Sequence, residues 1–81
     1  MYLNRAPDGT NNLCGKRVAQ LRKQMIPKVS QRALAAKLQL LGLDIDHYAI
    51  QRIENGRRFV TDIELAALAE LFGISSDELL R

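Results

Sequence analysis

Apolar residues recur along most of this chain at intervals of three and four, the spacing that lines one face of an α-helix, and no stretch alternates as a half-buried strand would. Cys14, Val18, Leu21 and Met25 form the first stripe. They predict a helix capped by Asn11 or Asn12 and running to about Met25, where Pro27 disfavours helical geometry at Ile26. Ser30 is the next N-cap. Its helix should bury Leu34, Leu38 and Leu41 with Ala35 beside them, and end at Gly42 in a left-handed cap. Leu43, Asp44 and Ile45 then form a turn. Asp46 caps a third helix to about Asn55, with Ile45, Ala49, Ile50 and Ile53 facing inward and His47, Tyr48, Gln51 and Arg52 outward.

The pattern continues after a break at Asn55-Gly56. Thr61-Asp62-Ile63-Glu64 reads as a capping box for a fourth helix. That helix carries two adjacent apolar rows: Leu65, Leu68, Ala69 and Phe72 in one, Ile63, Ala67 and Leu71 in the other. Two rows mean a central helix. Gly73 closes it, and a second capping box, Ser75 to Glu78, opens a last turn with Leu79 and Leu80. The expected fold is all-α, a compact bundle of five short helices over residues 12–81. Residues 1–11 hold Pro, Gly, Asn and Thr with little apolar content, and read as a flexible N-terminal arm.

Composition narrows the function classes. Eighty-one residues make one domain with a small core. No apolar run approaches the length of a membrane span, and the first nine residues hold no apolar signal core. The single cysteine, Cys14, cannot form an internal disulfide, which fits a reducing, cytoplasmic setting. One cysteine and one histidine cannot assemble a zinc site, so no metal or cofactor is expected. Charge is informative by location. Residues 1–58 carry eleven Lys/Arg against four acids, and residues 59–81 carry one Arg against five. A basic part followed by an acidic one suggests one face for a polyanion and another turned away from it.

The third helix concentrates the candidate chemistry. Positions 47, 48, 51 and 52 lie along one helical face, so several could reach adjacent base edges of a duplex. Arg grips guanine through two hydrogen bonds and Gln does the same to adenine, while Tyr and His can touch thymine methyls or phosphates. The plainer reading is a solvated polar face. Cys14 sits on an apolar stripe and reads as a small core residue. No paired carboxylates, phosphate loop or nucleophile motif supports an enzyme.

Ser30-Gln31, Leu34-Ala35, Ile50-Gln51-Arg52-Ile53-Glu54-Asn55-Gly56 and the run Leu68 to Leu79 together resemble the helix-turn-helix family of phage repressors, Cro proteins and their bacterial relatives. The resemblance covers about residues 12–80 and implies a lambda-repressor-like DNA-binding domain. It assigns base reading to His47, Tyr48 and Arg52, with Gln51 beside them. Gln31, at the start of the second helix, would bond a DNA phosphate, the alternative being a simple exposed first-turn residue. Arg57 and Arg58 would lie along the backbone of the same duplex, as could Lys28 and Arg32, while Lys16, Arg17 and Lys23 read as solvated surface. The family joins an arginine of the first helix to the glutamate that ends the third, which implies a structural pair between Arg22 and Glu54. Direct contact of Arg22 with DNA is the alternative.

The chain also departs from the family pattern. From Ala35 to Ile50 it takes fifteen steps, about five more than the usual motif, so the second helix and its turn should be longer. Asp44 and Asp46 near the DNA side must cap or point away. The leading expectation is a transcriptional regulator, a repressor that binds double-stranded DNA as a homodimer on a palindromic operator. Phe59, Val60 and Leu79-Leu80 are the candidate dimer contacts, and the chain's stop at Arg81 leaves room for a further domain or a partner protein. The alternative is an antitoxin or protein-interaction module that uses the same fold, with DNA binding secondary.

Overall fold

In the computed structural model, which describes residues 5–81, five α-helices follow one another: α1 (Gly15–Gln24), α2 (Gln31–Leu40), α3 (His47–Glu54), α4 (Asp62–Phe72) and α5 (Ser76–Leu79). No strand occurs among the described residues. The predicted caps shape the joints. Ser30 accepts from Ala33 N–H, Asp46 from Ala49 N–H, and Thr61 and Glu64 close a full capping box. Ser75 forms only half of the second box, accepting from Glu78 N–H. Asn12 accepts from Gly15 N–H at 2.7 Å, so α1 starts slightly later than its cap suggested.

Three helices end alike. After α2, Gly42 N–H donates to Gln39 and Leu43 N–H to Leu38, a closure that places Gly42 at φ +92°. The same two-bond pattern follows α3 at Gly56 and α4 at Gly73. This closure corrects one core assignment. Leu41 is 42% exposed because the helix stops before it, and Leu43 returns to the core in its place. Ile63 is corrected too. It is 70% exposed, since the inward position in the first turn of α4 is held by Glu64. Leu79 is fully buried and so offers nothing to a second copy, whereas Phe59 and Leu80 remain exposed.

The core lies where α2 packs on α3 and α4, and α1 packs on α3. Val18, Leu34, Leu38, Ile50, Ile53, Leu68 and Leu79 fill it, with Cys14 at its edge beneath α1. Burial pushes the Cys14 thiol above its ordinary pKa, consistent with a packing role. α1 can approach α3 closely because Gly15 has no side chain.

Within the segment expected to be a flexible arm, backbone hydrogen bonds begin at Ala6. Ala6 N–H donates to Thr10, Gly9 N–H to Ala6, and Asn11 N–H to Gly56 at 2.7 Å. The rest of that expectation falls on residues 1–4, outside the described residues.

A Cβ added at Gly15 would run into the Ile53 carbonyl oxygen, which is backbone and cannot swing aside. Gly15→Ala should therefore cost about 1–3 kcal/mol by urea denaturation, despite alanine's better helix propensity. A variant as stable as the parent would refute the close α1–α3 approach.

Candidate nucleic-acid interface

The arrangement begins at the far end of α3. Glu54, its last residue, receives Arg22 from α1 in a bidentate pair, Nε to Oε2 at 2.7 Å and Nη2 to Oε1 at 2.9 Å. The remaining Arg22 Nη1 donates to the Val29 carbonyl at 3.1 Å. Both side chains are largely buried, and the hydrogen bond to Glu54 holds the guanidinium pKa above its ordinary value. Gln31, in the first turn of α2, donates its amide to Glu54 Oε1 at 3.0 Å. One carboxylate thus ties together α1, α2 and α3. A planar guanidinium suits this site because it satisfies two oxygens at once and keeps a donor for the backbone.

The outward face of α3 is built differently. Tyr48, Gln51 and Arg52 are exposed, and His47 is half-buried with its ring centroid 4.0 Å from that of Tyr48. His47 also borders a shallow notch between α2 and α3 that Arg32 and Gln39 line. The notch brings Arg32, an expected phosphate contact, beside the start of the row expected to read bases. Lys28, Arg32, Arg52 and Arg57 are exposed and take part in no ion pair among the described residues. Asp46 faces this side, but one of its oxygens caps α3.

Arg58 breaks the expected pattern. Its guanidinium turns inward onto Glu64, with bonds of 2.9 and 2.8 Å, and also reaches the Phe59 carbonyl. Glu64 Oε1 accepts from Thr61 N–H as well, so the buried carboxylate is well satisfied. The Arg58 hydrogen bonds hold the Glu64 carboxyl below its ordinary pKa, and Glu64 in turn raises that of Arg58. The structure thus places Arg58, expected at a DNA phosphate, in an intramolecular pair in which three of its donor hydrogens serve the fold. The sequence offered one hint: the capping-box glutamate lies six residues from an arginine across a turn.

Three further contacts escaped sequence reading. Asn11 Nδ2 donates to the Arg57 carbonyl at 2.8 Å, and Asn12 Nδ2 donates to Ile53 and Arg58 carbonyls at 3.1 and 2.8 Å. These partners lie more than forty residues away in sequence. Only the cap to Gly15 was legible locally.

The fold and this site define a helix-turn-helix domain, with α2 and α3 as its two helices. A family model described as Helix-turn-helix matches residues 18–79, and the chain belongs to this family, the DNA-binding regulators of phage-repressor and Cro type. No individual curated protein and no solved structure matches the chain. No helix among the described residues is long and apolar enough to cross a membrane.

Removing one partner of the Arg22–Glu54 pair strands the other charge in a largely buried site. Arg22→Ala should lose ~3–5 kcal/mol in urea denaturation. A loss below ~1 kcal/mol would mean the pair behaves as a surface contact.

Acid stability should report the second pair. A carboxylate whose folded pKa is lowered adds stability that is fully present above its ordinary value, here near 4.5, and is lost as pH falls through the folded pKa. The thermal midpoint should therefore drop below about pH 4.5, and Glu64→Gln should shallow that drop while lowering the midpoint at neutral pH. Parallel acid curves for parent and variant would count against the pair's contribution.

Proposed function

We propose that this chain is a cytoplasmic repressor that reads a palindromic operator as a homodimer, with α3 in the major groove. His47, Tyr48, Gln51 and Arg52 contact base edges. Lys28, Arg32 and Arg57 contact phosphates, together with the first turn of α2. Gln31 contributes there through its backbone N–H and the amide hydrogen that Glu54 does not take, aided by the positive end of the helix dipole. Phosphate contacts fix register and affinity, while base contacts supply the sequence information.

One observation carries this reading. Arg22 and Arg58 pair with glutamates inside the fold, while Arg32, Arg52 and Arg57 stay exposed and unpaired around the polar face of α3. A merely solvated face would need no such separation. In a dimer the two α3 helices would enter successive major-groove turns about 34 Å apart.

Selection of bound duplexes from a random pool tests it, with the parent run beside a His47→Ala/Arg52→Ala variant. The parent should enrich a two-fold symmetric motif and the variant should not. Against a single recovered duplex, Arg52→Ala should cost ~1–3 kcal/mol and relax one position. Salt-sensitive binding without a motif, equal in parent and variant, would leave only phosphate contact and favour the protein-interaction alternative.

A further inference from the structure

Residues 6–12 lie before the part of the chain that the family model matches, yet they close on the end of the recognition helix. Asp8 accepts from the Thr10 hydroxyl at 2.7 Å and from Thr10 N–H at 3.1 Å, bonds that lower its pKa and fold the segment into a tight turn. The Thr10 hydroxyl oxygen also lies 2.9 Å from the Asn12 carbonyl oxygen. The Thr10 methyl then lies against Gly56, where an added Cβ would stand 2.6 Å from it. Gly56 has φ +78°, so both its backbone and its missing side chain serve this contact.

We propose that Thr10, Asn11 and Asn12 form a clasp that positions Arg57 for the DNA backbone, an inference that rests on the DNA-binding reading above. The loop after α3 is held from two sides. On one side the Arg57 and Arg58 N–H groups both donate to the Arg52 carbonyl, at 2.9 and 3.2 Å. On the other, the carbonyls of Gly56, Arg57 and Arg58 accept from Asn11 N–H, Asn11 Nδ2 and Asn12 Nδ2. With donor and acceptor of each arginine's backbone fixed, the two neighbouring side chains leave on opposite courses. Arg58 turns in to Glu64 and Arg57 turns out to solvent. A phosphate contact made from such a fixed loop loses less freedom on binding than one made from a mobile one.

The clasp acts through Arg57, so it is a positioning element and touches no base. Asn11→Ala is the informative variant, because it removes one side-chain bond and leaves both the Asn11 N–H bond to Gly56 and the Asn12 cap on α1 intact. The probe is the duplex that the parent recovers from a random pool. Asn11→Ala should weaken binding about five-fold and reduce the salt slope by roughly one, as Arg57→Ala does. In the Arg57→Ala background it should cost nothing further, and Asn11→Ser, which keeps a donor, should restore part of the loss. If the two losses simply add, with the salt slope unchanged in Asn11→Ala, the clasp is structural only and the proposal is overturned. A parent that recovers no motif overturns the operator reading itself, and the clasp with it.

Discussion

Glu54 accepts three hydrogen bonds from two other helices, and the placement of α3 depends on it. α3 is only eight residues long, too short to hold its own orientation by helix propensity. Ile50 and Ile53 anchor its inner side, but apolar packing alone tolerates rotation and sliding. A bidentate guanidinium–carboxylate pair does not, because both oxygens must meet both nitrogens in one plane. The pair is also costly to bury, and its net contribution to stability is smaller than the damage done by removing one partner. Its value here is geometric: it sets where the outward residues of α3 point.

The same logic sorts the cations of the whole domain. Arg22 and Arg58 each meet a glutamate inside the fold, and each is a guanidinium where a lysine could not serve two oxygens in parallel. The remaining arginines near α3, Arg32, Arg52 and Arg57, form no ion pair among the described residues. In space the cations thus divide into internal cross-links, one within the basic part and one to the acidic part, and an unpaired cationic border. Glu64 shows the exchange from the acidic side. It caps α4, binds Arg58 and displaces Ile63 from the inward position, three consequences of one buried carboxylate.

Local signals were legible; among the distant pairings only Arg22–Glu54 was expected, and that from the family resemblance rather than from the residues alone. Ser30, Asp46, Thr61 and Ser75 cap the helices they were expected to cap, since a cap is decided within three residues. The helix count and most of the core followed from periodicity. Leu41 and Ile63 were misread because periodicity does not say where a helix stops or what meets its first turn. The different courses of Arg57 and Arg58 were not legible, because the two look alike in sequence; only the position of Glu64 in space distinguishes them. The donors of Asn11 and Asn12 were invisible for the same reason, since a carbonyl acceptor carries no side-chain signature. A polar, glycine-containing segment before the first cap reads as an arm whether or not it finds backbone acceptors to bind.

The lengthened connection between α2 and α3 fits this picture as a strut rather than slack. α2 closes on Gly42, Leu43 turns back into the core, and Gln39 Nε2 donates to the Ile45 carbonyl at 2.8 Å. Ile45 is buried and Asp46 then caps α3 directly. The extra residues therefore fix the entry of α3 as firmly as Glu54 fixes its exit. Between those two anchors the exposed side chains at 48, 51 and 52, with half-buried His47, have little freedom to shift as a group. The direction in which they face is thus set by this linker and not by the spacing of the shorter family motif.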